Sequence, residues 1–422
     1  MVDAHRTFVI IGGGLAGAKA AETLRAEGFS GRVILIGDER DHPYERPPLS
    51  KGYLIGTDER SSVFVHEPAW YASADIELHL GQPAVHIDRE AKAVRLGDGT
   101  RVHYDMLLLA TGAEPRRLEI PGTSLAGVHH LRRLAHADRL RGVLAARGRE
   151  QGHLVIAGAG WIGLEVAAAA RGYGAEVTVV ESEPGPLHTV LGPELGALFT
   201  DLHREHGVRF HFGARLTGIG GHAGVVSSVQ TDDGQEHPAH DVLAAIGAAP
   251  RTGLAESAGL ELAPGPGGGI AVDGSLRTSD PHIFAAGDAA AVEHSLLHTR
   301  LRVEHWANAL NSGPAAARAM LGQEVRYDRV PYFFSDQYDV GLEYSGYAPP
   351  GSYDQVVHRG DVAKREFIAF WLSGDRVLAG LNCNVWDVTD PIQDLIRSGR
   401  PVDRRALADP DVPLTELPAP RA

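Results

Sequence analysis

Two glycine triplets 146 residues apart, each set between a short apolar run and an alanine-rich stretch, predict the fold class, and a second repeated segment fixes the size of the repeating unit. Together they predict an α/β protein with two Rossmann-like dinucleotide-binding modules, and the strand pattern after residue 327 adds a C-terminal α+β domain. With 51 glycines in 422 residues, chance alone supplies about one G-x-G-x-x-G match, so the surroundings of each triplet carry the argument.

The first triplet is Gly12, Gly14 and Gly17. It follows the strand-like run Phe8-Val9-Ile10-Ile11 and opens a helix-like segment from Ala16 to about Ala26. A second strand-like run, Val33 to Ile36, ends at Asp38, twenty-one residues after Gly17. Each part has a physical task. The glycines permit a tight turn and close approach of a pyrophosphate, the helix start offers N–H donors, and the acid accepts from ribose hydroxyls. The second triplet, Gly158, Gly160 and Gly163, follows Leu154 to Ala157 and opens a helix-like stretch from Ile162 to Arg171. Its second strand, Val177 to Val180, ends in Glu181, eighteen residues after Gly163. The segment from Tyr104 through Ala110, Thr111 and Gly112 to Arg116 returns as His240 through Gly247 to Arg251.

Composition excludes several function classes. Forty basic against fifty-four acidic residues leave a net charge of −14, which disfavours nucleic acid. Lysine occurs four times against thirty-six arginines, so a lysine in a loop is the more informative cation. A single cysteine, Cys383, forbids an intramolecular disulfide and fits a reducing compartment. Residues 1–6 hold no apolar signal core and no run of eighteen apolar residues exists, so a soluble, cytoplasmic protein without membrane contact is expected. His294 and His298 have helix-face spacing but lack a third ligand, so no metal site is expected.

Between the modules lies Pro43-Tyr-Glu-Arg-Pro-Pro-Leu-Ser-Lys51, a proline-stiffened loop carrying Arg46 and Lys51. With Ile283-Phe-Ala-Ala-Gly-Asp288, Ser335-Asp-Gln-Tyr338 and the tail Leu407 to Leu417, it gives a resemblance over nearly the whole chain. The sequence resembles the two-dinucleotide-domain flavoprotein reductases, in particular the oxygenase-coupled ferredoxin and rubredoxin reductases. The resemblance implies FAD on a discontinuous domain, 1–114 and 247–326, an NAD-binding domain at 115–246, and a C-terminal reductase domain at 327–422. It implies Lys51 beside the reactive edge of the flavin, and Asp288, after Gly287, at the ribityl chain. It also implies Ala16, Val85, Ala110, Thr111, Gly112, Arg132 and Trp306 along the FAD, and Ile162 and Gly247 on the nucleotide side. Glu165 would approach the nicotinamide carboxamide and pair with Lys51, although an acid there would equally complement a helix N-terminus.

Glu181 without an arginine at Ser182 or Glu183 favours NADH over NADPH. The implied activity is hydride transfer from NADH to FAD, followed by single-electron delivery to a ferredoxin-type iron–sulfur protein. The absence of a cysteine pair between Gly52 and Tyr71 excludes the disulfide-reductase branch. Two alternatives stay open at this point. One is an NADH oxidase or diaphorase using oxygen or quinone, and the other a redox-sensing binding protein similar to apoptosis-inducing factors. The family commonly carries Trp before Ser-Asp-Gln, where this chain has Phe334. A basic patch for the acceptor is expected among Arg300, Arg302, Lys364 and Arg365. The C-terminal domain reads as strands Val340 to Tyr344, Tyr353 to His358, Glu366 to Leu372 and Arg376 to Val385, then a short helix from Pro391 to Ser398.

Overall fold

The computed structural model describes residues 5–265 and 267–419. The chain forms two compact units. The first gathers the residues up to Glu45 with Arg60–Glu114 and Ala248–Pro331; the second gathers Arg46–Glu59, Pro115–Gly247 and the chain from Tyr332 onward.

In the first unit five parallel strands lie in the order Ile283–Ala285, Met106–Leu109, Thr7–Ile11, Arg32–Gly37, Ile76–Leu80. Their near-continuous apolar sequences follow from burial on both faces; Val9, Ile10, Ile34, Leu35 and Leu107 to Leu109 are inaccessible to solvent. Two helices, Leu15–Ala26 and Trp306–Met320, pack on each other. Their approach is close because Gly313 carries no side chain; a Cβ there would lie 2.2 Å from the Ala16 carbonyl oxygen. Two small sheets belong to the same unit, one of Ala84–Asp88, Ala93–Leu96 and Arg101–His103, the other of Ile270–Val272, Ala290–His294 and Thr299–Arg302.

The second unit repeats the design. Parallel strands lie in the order Arg209–Phe212, Glu176–Glu181, His153–Ala157, Asp241–Ala244, Val128–His129, with an antiparallel sheet of Leu216–His222, Val225–Thr231 and Glu236–Pro238 beside them. One difference matters: the edge strand beside Asp241–Ala244 comes from earlier in the chain, whereas its counterpart in the first unit comes from far downstream.

The C-terminal part of the second unit is a five-stranded antiparallel sheet in the order Tyr332–Gln337, Val340–Gly346, Arg376–Cys383, Glu366–Ser373, Gln355–Asp361. Four of these strands and the helix Thr389–Ser398 lie where the sequence pattern puts them; Tyr332–Gln337 is the addition. Its inward residues, Phe333, Ser335 and Gln337, are buried, but two are polar, so apolar alternation is missing. This sheet shares one hydrophobic core with the second module, through Trp161, Phe199, Phe333, Tyr344 and Trp371. Arg359, almost fully buried, fastens the tail by donating to the carbonyls of Leu407, Asp409, Pro410 and Val412, the closest at 2.7 Å.

Candidate functional site

The two glycine triplets have the same geometry. Gly12 has φ +126° and Gly158 φ +101°, and a Cβ on either would stand 2.0 or 2.4 Å from a carbonyl oxygen of the neighbouring strand's exit, Ala110 or Ala245. A Cβ on Gly17 or Gly163 would stand 2.1 or 2.2 Å from the carbonyl oxygen of the first glycine, so helix and strand meet only because both lack side chains. The middle glycines, Gly14 and Gly160, differ in kind. An added Cβ meets nothing within 4 Å, and each is the residue that opens a helix without a side-chain cap. The backbone there is therefore open to a ligand, and the residues present fit a dinucleotide pyrophosphate in both units.

The acids that follow are held in place. In the first unit Asp38 accepts from Arg251 at 3.1 Å, while Arg251 is fixed by its N–H to the Gly112 carbonyl (2.9 Å) and by its own carbonyl accepting from Thr111 (2.7 Å). Arg251 was visible in the sequence only as the last residue of the repeated segment. Asp288 is buried in the turn Gly287–Ala289, where the Gly287 N–H donates to Ser312 Oγ. Trp306 opens its helix and donates through Nε1 to Glu45 (3.1 Å). Ala16 and Ala110 are buried, whereas Val85 is exposed. In the second unit Glu181 accepts from the N–H groups of Ala159 (2.6 Å) and Glu183 (2.9 Å), which aims its carboxylate at the glycine turn. Ile162 is exposed at the helix start, and Gly247, at φ +90°, accepts from the Arg116 N–H.

The loop with Arg46 and Lys51 belongs to the second unit. Arg46 donates to the Arg132 carbonyl. Lys51 Nζ lies 2.8 Å from Glu165 Oε1 and 5.3 Å from the Phe334 ring centroid. Glu165 is 3% exposed and sits on the fifth residue of the helix Trp161–Tyr173, facing inward, so it does not serve as a solvated acid at a helix start. Ser50 donates to its Oε2 and Ser335 to its Oε1 at 2.6 Å. The carboxylate is thus satisfied by one ammonium and two hydroxyls. Each serine lies inside a motif of the sequence, Pro43 to Lys51 or Ser335 to Tyr338, that gave it no role of its own.

The four basic residues expected to form an acceptor patch are all neutralised within their own units. Arg300 pairs with Glu293, Arg302 with Glu304, Lys364 with Asp361 and Arg365 with Glu205. Cys383 is buried, and burial pushes its thiol up to about 12, which removes it from thiolate chemistry. Among the described residues, no helix is long and apolar enough to cross a membrane.

Two Rossmann-like modules, each with an uncapped helix start open to a ligand, and a buried lysine–carboxylate pair make up the site. The chain belongs to the pyridine nucleotide-disulphide oxidoreductase family, whose model matches residues 6–313, and a reductase C-terminal model matches residues 332–418. It is 40% identical to the ferredoxin–NAD(+) reductase component of an anthranilate 1,2-dioxygenase system from Burkholderia cepacia, over 96% of this chain and 98% of that one. It is 36% identical to the putidaredoxin reductase of Pseudomonas putida, over 99% and 97%. The crystal structure of a covalent putidaredoxin reductase–putidaredoxin complex matches it with a TM-score of 0.92 at 36% identity, covering 98% of each chain.

Proposed function

We propose that the chain is an FAD-dependent NADH:ferredoxin reductase that serves an oxygenase system in the cytoplasm. The observation that carries this reading is the buried Lys51–Glu165 pair in a chain with two dinucleotide cradles and only one, buried, cysteine. Relatives named as ferredoxin reductases of oxygenase systems, and a solved reductase–ferredoxin complex of the same fold, support it.

FAD, when bound, supplies the chemistry that turns a two-electron hydride into single electrons. The balance is one NADH and two oxidised ferredoxins giving NAD+, a proton and two reduced ferredoxins. In this reading residues 1–114 and 247–326 hold the FAD through Gly12, Gly14 and Asp38, with Asp288 and Trp306 along it. Residues 115–246 hold NADH through Gly158, Gly160 and Glu181, and residues 327–422 shape the acceptor side. With FAD bound, Lys51 would supply a positive charge to stabilise the reduced flavin. Glu165 would accept a hydrogen bond from the nicotinamide carboxamide, which orients the hydride donor. Glu181 accepts from the adenosine 2′-hydroxyl and repels a 2′-phosphate.

The test is an anaerobic titration of the purified, yellow protein with NADH and with NADPH, followed by steady turnover with a purified ferredoxin. Fast bleaching by NADH, slow bleaching by NADPH and turnover that depends on the ferredoxin are expected. Bleaching that turns over with oxygen alone and gains nothing from ferredoxin would replace this reading with that of an NADH oxidase.

A further inference from the structure

Glu165 is the inner end of a polar chain that runs through the second unit. Ser335 Oγ donates to Glu165, and Gln337 Nε2 donates to Ser335 Oγ at 3.1 Å. Gln337 Oε1 lies 2.8 Å from His203 Nε2, and the Tyr338 hydroxyl lies 3.3 Å from His203 Nδ1. Tyr338 in turn stacks on His206, 3.6 Å between ring centroids. Ser335, Gln337 and His203 are all within 1% of complete burial.

The donors all point one way. The Gln337 carbonyl can only accept, so His203 Nε2 must carry a proton. Burial holds the imidazole neutral, lowering its pKa to about 4, which leaves Nδ1 as an acceptor for the Tyr338 hydroxyl. Every link therefore donates toward the carboxylate, and such aligned bonds reinforce one another. The amide of Gln337 does not pass protons readily, so the chain fixes geometry and charge and is not a proton wire.

Two features are hard to account for by packing alone. Ser335 and Gln337 occupy inward positions of a strand where apolar residues would bury more cheaply. Tyr338, a bulky residue, holds φ +57°, a backbone region that non-glycine residues adopt at a cost. That conformation accompanies the contacts of its ring and hydroxyl with the two histidines.

We propose that Gln337 and His203 are positioning residues for the redox reaction, setting the orientation of the Glu165 carboxylate through Ser335. This rests on the role given to Glu165 above. Neither residue touches the nucleotide in this scheme; each acts by restricting the carboxylate to one rotamer and one hydrogen-bond pattern.

The experiment uses the flavin-loaded full-length chain labelled with 15N-histidine. Variants are Glu165→Gln, Gln337→Leu, His203→Leu and His203→Gln, the last of which keeps an N–H facing Gln337. Anaerobic stopped-flow separates the limiting rate of bleaching by NADH from the apparent nucleotide affinity. Nuclear magnetic resonance reads the ring N–H of His203. The limiting rate should fall about fivefold in Gln337→Leu and His203→Leu with the affinity little changed, and His203→Gln should recover most of it. The His203 N–H should also shift in Glu165→Gln, three hydrogen bonds away along the chain. A slowed Glu165→Gln variant with unaffected leucine variants and an unmoved His203 signal would overturn the proposal and leave the role of Glu165 standing. Unchanged bleaching in Glu165→Gln would overturn both. If the leucine variants do not fold, Ser335→Ala against Ser335→Thr asks the same question at the next link, with the same expected and overturning results.

Discussion

At Gly160 an added methyl group meets no protein atom, whereas at Gly158 it meets a carbonyl oxygen and an unfavourable φ. The two alanine substitutions should therefore separate binding from folding. Gly160→Ala should keep the melting temperature of the parent while NADH affinity falls about tenfold, because the methyl occupies ligand space. Gly158→Ala should lower stability by about 2 kcal/mol or more, read as the urea midpoint. The Lys51–Glu165 pair gives a second residue-scale contrast. Lys51→Met leaves a buried carboxylate held only by two serines and should cost about 3 kcal/mol; the double variant Lys51→Met/Glu165→Leu should recover most of that loss, by denaturant unfolding.

The strand Tyr332–Gln337 shows why part of the site was illegible. Both βαβ modules could be read because their strands are buried on both faces and their turns demand glycine. Lys51 and Glu165 stood out because each adjoins such a turn or loop. Ser50, Ser335 and Gln337 lie inside motifs that gave them no role, and His203 lies in none, because the hydrogen-bonded chain joins residues from separate segments and their polarity imitates exposure. The two long helices Leu134–Glu150 and His188–Glu205 also went unread. The first is rich in arginine, and the second is broken at Gly192, φ +82°, beside Pro193, so neither presents a clean apolar stripe. The tail clamp at Arg359 is likewise a tertiary feature. Arg359→Leu would leave four carbonyls without their donor, and it should lower stability by about 3 kcal/mol and admit proteases to residues 404–419 before the rest of the chain.

Across the whole molecule, acid stability reflects histidines kept neutral by burial. His153, His203 and His305 are all held at about 4 by desolvation, while the same side chains titrate near 6.5 in an unfolded chain. The sign follows from linkage: between about pH 6.5 and 4 the unfolded chain binds more protons, so stability falls as pH falls through that window. The urea midpoint should drop steadily from pH 7 to 4.5, and His203→Gln should flatten the slope by up to about one proton, since one of the three groups is then removed.

The displaced edge strand of the first unit has a consequence for biosynthesis. Met106–Leu109 leaves the ribosome about 170 residues before Ile283–Ala285, the strand that covers its open side. At 5–20 residues per second the delay is about 10 to 30 seconds. During that time Leu107 to Leu109, fully buried in the finished protein, form the rim of an incomplete sheet. The second module, whose edge strand Val128–His129 is already synthesised, can close meanwhile. A chain interrupted before residue 283 would keep an adhesive rim permanently, so the first module, although it begins the sequence, closes its parallel sheet after the second.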